Sequence, residues 1–232
     1  MSDAINRIRS NLLSMADEGY KSFHSKLIPN IPAEMIIGVR TPELRRYASS
    51  LYSVMKKGCA DADEFLSSLP HYYYEENNLH GFLIEKCTDI NECFAMLDVF
   101  LPHVDNWATC DMTSPKIFGK HKKEAFEKAC QWISSSHTYT CRFGIRVLMC
   151  FFLGEDFDIS HTDIVLSVKS DDYYVKMMKA WYLASLGAER FFLVYDMLRK
   201  EKIPADIRKM TSRKLLDSLR ISREQKELIK LL

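Results

Sequence analysis

Residues 139–152 read YTCRFGIRVLMCFF, and the way this stretch recurs decides the fold. An aromatic residue leads, polar and charged residues follow, and an apolar helical run completes it. The same order appears in YYYEENNLHGFLIE (72–85) and YYVKMMKAWYLASL (173–186). Working outward, apolar periodicity is helical almost everywhere. DAINRIRSNLLSMAD (3–17) puts Ile5, Ile8, Leu12 and Met15 on one face. TPELRRYASSLYSVMKKG (41–58) reads as a helix capped by Thr41, opened by Pro42 and stopped by Gly58. KLIPNIPAEMIIGVR (26–40), broken by Pro29 and Pro32, is a linker. The stretches 91–104, 122–135, 161–170, 172–187 and 188–200 complete the helical set, and no segment alternates as a strand does. With only 8 Gly and 7 Pro, long helices joined by short connections are expected. The fold class is all-α.

Helices recurring in pairs about 35–45 residues apart suggest a stack of HEAT-like or armadillo-type repeats. The expected architecture is a right-handed superhelical stack with a concave groove, built as a single all-helical domain over 1–232. The composition, 47% hydrophobic and 27% charged, supports a well-packed core. A net charge of +1 advertises no global field for nucleic acid or membrane, so a polyanion would have to meet a local basic patch. The N-terminal stretch has no apolar core of signal-peptide length. VLMCFFL (147–153) is far too short to span a bilayer, so a cytoplasmic protein without a membrane partner is expected. The seven cysteines contain no CxxC pair and read as small buried residues in a reducing compartment. No close zinc-ligand spacing is present, and none of GxGxxG, GxxxxGK[ST], HExxH or GxSxG occurs.

The chemistry-bearing residues are aromatic and basic. VDNWATCDM (104–112) sets Trp107 and Asp111 one helical turn apart, a flat ring beside a carboxylate. Tyr139, Arg142 and Arg146 share a second helix, and Tyr173, Tyr174, Lys176, Lys179 and Trp181 a third. Aromatics and cations on successive helices suit a groove that holds phosphates and stacks on sugars or bases. KIFGKHKKEAF (116–126) adds Lys116, Lys120, His121, Lys122 and Lys123, and 208–220 is a second basic stretch. Each has a plainer reading: solvated lysines, an arginine stripe toward solvent, a helix-end Asp111, and a Trp181 that packs among core-like neighbours. Trp132 is assigned to the core, and His80 to packing or capping.

Four segments taken in order resemble the diagnostic segments of the AlkD-like DNA alkylation repair family. They are GVRTPELRRYA (38–48), VDNWATCD (104–111), YTCRFGIRVLM (139–149) and YYVKMMKAWYLA (173–184), and the resemblance covers roughly residues 5–220. It implies HEAT-like repeats and a monofunctional DNA glycosylase that releases N3- and N7-alkylated purines from duplex DNA. It implies no metal or other cofactor, and action while the damaged base stays stacked. Trp107 and Asp111 match the family's catalytic pair, and Trp181 the second indole of the cleft. Arg142 matches a backbone-contacting arginine, Tyr173 and Tyr174 fall at aromatic positions, and Tyr20 lies near a cleft tyrosine. The chain departs from the pattern at Cys141-Arg142-Phe143, where two adjacent arginines are frequent. It also has Tyr139 for a frequent tryptophan, and tyrosines for phenylalanines at 173 and 174. The competing readings are a catalytically inactive HEAT-like module that binds DNA or protein, and an armadillo-like peptide adaptor. The adaptor would need an asparagine ladder, and nothing continues Asn77 and Asn78. A monomer is expected.

Overall fold

The computed structural model describes residues 3–200 and 202–232, and among them no strand occurs. The fold is all-helical, of HEAT-like repeat type, and forms two compact units, residues 1–121 and 122–232.

The first unit contains α1 (Asp3–Ser14), α2 (Glu18–His24), α3 (Thr41–Met55), α4 (Asp61–Ser67), α5 (Tyr74–Ile84), α6 (Ile90–Phe100) and α7 (Trp107–Met112). On α1 the buried stripe is Ala4, Ile8 and Leu12, with Ile5 and Met15 half-buried beside it. Burying Ile8 and Leu12 contributes about 2 kcal/mol each. Thr41 does not cap α3. It is the first helical residue, Arg40 takes the cap position in extended conformation, and Pro42 follows where its missing N–H costs nothing. Gly58, at φ 90°, turns the chain after α3.

All eleven residues of α5 are buried, although its sequence includes two glutamates, two asparagines and a histidine. Buried polar groups are tolerated when partnered, and most of these find partners, Asn77 Oδ1 being the exception. Glu76 holds the Arg9 guanidinium at 2.7 and 3.1 Å and accepts from the Tyr73 amide. Asn78 accepts from Thr109. His80 is packed, as its sequence context suggests: Phe100 stacks on it at 4.4 Å, and its Nδ1 lies 2.8 Å from His71 Nε2. Phe65 stacks on His71 at 4.3 Å. Burial lowers His71 to about 4 and takes His80 well below the usual histidine range, so both rings are neutral near pH 7.

The second unit contains α8 (Lys122–Ile133), α9 (Thr138–Phe151), α10 (Ile159–Ser167), α11 (Tyr173–Glu189), α12 (Phe191–Arg199), α13 (Ala205–Asp217) and α14 (Arg223–Lys230). Here α9 packs on α8 and α11, and α11 also packs on α12 and α13. Gly144 lets α9 come close to α8, because a Cβ there would lie 2.7 Å from the Ala129 carbonyl. The helix expected over 188–200 starts later. Residues 188 and 189 finish α11, and the chain breaks at Arg190, whose guanidinium binds the carbonyls of Leu153 and Gly154. The helices α2, α13 and α14 lie outside the stretches read as helical above. Trp132 is in the core, 4% exposed.

None of the seven cysteines is in a disulfide; Cys93, Cys110 and Cys141 are buried as expected, whereas Cys59, Cys87 and Cys130 are half-buried and Cys150 is exposed. Burial pushes the thiols of Cys93 and Cys141 up to about 12 and about 11. No helix among the described residues is long and apolar enough to cross a membrane, and no group of three metal-ligating side chains occurs among them.

Candidate active site

The Trp107–Asp111 pair occupies the short helix α7, and α7 is held at both ends. At its start Asn106, fully buried, accepts from the Thr109 amide at 2.8 Å and donates to Thr109 Oγ1. Thr109 in turn donates to Asn78 of α5 at 2.7 Å, which bolts the first turn to the central helix. At its end Arg45 donates to the Met112 carbonyl and pairs with Glu85 at 2.6 Å, while Glu85 also accepts from the Ser114 amide. Pro115 then keeps the chain from continuing as helix.

Trp107 is half-buried as the first residue of α7. Its Nε1 donates to the Leu27 carbonyl at 3.0 Å. Its ring rests on a cluster of Ile28, Ile31, Ile36, Tyr74 and Ala108. Asp111, four residues later on the same face, is also partly exposed. A carboxylate in the last turn of a helix faces the negative end of the dipole and costs roughly a few tenths of a kcal/mol. The arrangement offers an anchored indole and a carboxylate one turn apart, a surface fitted to a flat or cationic group.

Tyr20 lies on α2, which feeds the Trp107 bed. It is half-buried, stacks on His24 at 5.2 Å and carries the Arg40 guanidinium 5.3 Å from its ring centre. His24 Nε2 is 2.8 Å from the Tyr74 hydroxyl, and burial lowers its basicity. Lys116 and Lys120 are exposed.

In the second unit the expected DNA contacts divide. Arg142 is buried and donates to the Tyr174 carbonyl at 2.7 Å, tying α9 to α11. Tyr139 is buried with its ring 5.7 Å from Tyr174, whereas Tyr173 is exposed. Lys176 pairs with Asp206 at 2.8 Å and Asp171 at 3.3 Å, which raises its basicity. Lys122 pairs with Asp156, Lys123 is exposed, and Arg146 is half-buried. Trp181 departs from the packing reading: the residue is 37% exposed, because Ala180 and Tyr182 take the buried face of α11. Lys214 lies 5.5 Å over the indole, and Ser185 and Arg220 join Trp181 in lining a hollow of about 330 Å³.

Several residues that shape the pair escaped sequence reasoning: Asn106, Arg45, Glu85 and, above all, Glu75. The Glu75 carboxylate accepts the amides of Ile37, Gly38 and Val39 at 2.8, 2.7 and 3.3 Å. Its one legible signal is two consecutive acids inside an otherwise apolar helical stretch.

A family model described as DNA alkylation repair enzyme matches residues 8–215. Neither a curated protein nor a solved structure matches the chain significantly.

Proposed function

Because the chain belongs to the DNA alkylation repair enzyme family, and so has a role in DNA alkylation repair, we propose that it is a monofunctional DNA glycosylase. Its substrates in this reading are N3- and N7-alkylated purines in duplex DNA. The observation that carries it is the clamped pair of Trp107 and Asp111 one turn apart on α7, both partly exposed.

The chemistry asks little of an acid catalyst. Alkylation leaves the purine cationic, so the bond from C1′ to the base nitrogen breaks with its electron pair going to the base, which departs neutral. Positive charge develops on the deoxyribose. Asp111 stabilises that charge electrostatically and accepts a proton from the water whose oxygen bonds to C1′. The face of Trp107, fixed by its bond to Leu27, favours the same charge through its π electrons. Trp181 is the second indole of the reading, and Arg146, Lys120, Lys122, Lys123, Tyr20, Tyr173 and Tyr174 are its duplex contacts, while the buried Arg142 and Tyr139 and the doubly paired Lys176 shape the helices behind them. No cofactor is invoked.

The test is release of free base from a duplex with a single 7-methylguanine. Asp111→Asn should lower release at least tenfold, roughly the loss of one electrostatic stabiliser, with duplex binding nearly unchanged. Equal release by wild type and variant would sink the assigned role. Binding without release by either would leave a DNA-binding module in place of an enzyme.

A further inference from the structure

We infer that Glu75 is a positioning residue for the Trp107 surface, an inference that rests on the glycosylase reading only for its kinetic consequence. Glu75 never reaches solvent, yet the loop it grips feeds two parts of the site. Three successive amides, of residues 37–39, converge on its carboxylate, forming a nest for an anion built into the fold. The nest needs Gly38 at φ 97°, where a side chain is strained, and a Cβ there would lie 2.7 Å from the Asp17 carbonyl. One end of the loop is Ile36, which packs beneath Trp107 with Ile28, Ile31 and Tyr74. The other is Arg40, which pairs with Asp17 at 2.9 Å and covers Tyr20. Asp17 is tied to the loop again by its amide, which donates to the Gly38 carbonyl, and its side chain caps α2. Glu75 therefore sets the height of Ile36 under the indole and the start of the helix that carries Tyr20.

A residue that only stabilised the fold would change the melting point and leave the indole alone. Glu75→Gln separates the two roles: the amide matches the carboxylate in size, but its NH2 group faces a backbone N–H and cannot accept from it. In a Trp132→Phe/Trp181→Phe background Trp107 is the single indole, so emission wavelength and acrylamide quenching report its seat directly. Glu75→Gln should shift that emission to the red and raise quenching about twofold. In the otherwise native chain it should lower kcat for 7-methylguanine release about tenfold with KM little changed, since small misplacements of reacting groups cost at least that much. A lower melting point with Trp107 emission, quenching and kcat all unaltered would overturn the inference. Gly38→Ala, which disturbs the same nest from the loop side, should give the same emission shift, and a variant with unmoved emission would overturn it equally. If wild type releases no base, the glycosylase reading fails alone, and the Trp107 spectrum still decides the role of Glu75.

Discussion

The Trp107 indole is both packed and anchored, its ring against Ile28, Ile31 and Ile36 and its Nε1 on the Leu27 carbonyl. A spacing of four already puts Trp107 and Asp111 on one helical face, whereas the partners of Glu75 are backbone amides 36 to 38 residues away, which carry no side-chain signature in the sequence. Arg142 shows the opposite limit: its residue type suggests a phosphate contact, but burial against the Tyr174 carbonyl is a tertiary fact. Trp107→Phe keeps most of the apolar contact and loses the donor to Leu27. It should cost about 1 kcal/mol in urea unfolding, and base release should fall further than that loss accounts for. Lys176 and Lys123 give a paired expectation. The first is already neutralised by two carboxylates, while the second is exposed. Lys123→Ala should flatten the slope of log binding constant against log salt by about one phosphate contact, and Lys176→Ala should leave it nearly unchanged. A similar change in both slopes would refute the distinction.

Among the elements, the long helices were readable from periodicity and their ends less so. Thr41 looks like a cap and is the first helical residue, and the α11–α12 break depends on Arg190 reaching carbonyls 36 and 37 residues back. The least legible element is α7, six residues whose stability comes from its anchors. Asn106 supplies both a helix cap and a buried link through Thr109 to α5. Asn106→Ala should therefore destabilise the protein by about 2 kcal/mol, the upper range for a cap. It should also raise amide exchange across 107–112 more than across α5. Uniform exchange changes in the two helices would show that α7 has no separate anchorage.

For the molecule as a whole, the helical repeat character and the absence of strands among the described residues followed from composition and recurrence. Its acid response did not, since it depends on a buried pair brought together by packing. The neutral rings of His71 and His80 are faced by Phe65 and Phe100, with Glu76, Arg9 and His103 as the charged and titratable groups acting on them. A histidine whose basicity is depressed in the native state contributes its full share above the unfolded value near 6.5. That share is lost as pH falls toward the native value, about 4 for His71. The unfolding free energy from urea titration should therefore fall between pH 6.5 and 4, by at most about 3 kcal/mol from His71. His71→Gln should weaken that dependence, and an unchanged pH profile in the variant would refute the assignment. The buried thiols carry a further consequence. Methylating electrophiles attack thiolates and not thiols, and burial keeps Cys93 and Cys141 protonated far above neutral pH. These two buried thiols therefore offer no thiolate to a methylating agent at neutral pH, a protection that suits a protein of alkylation repair.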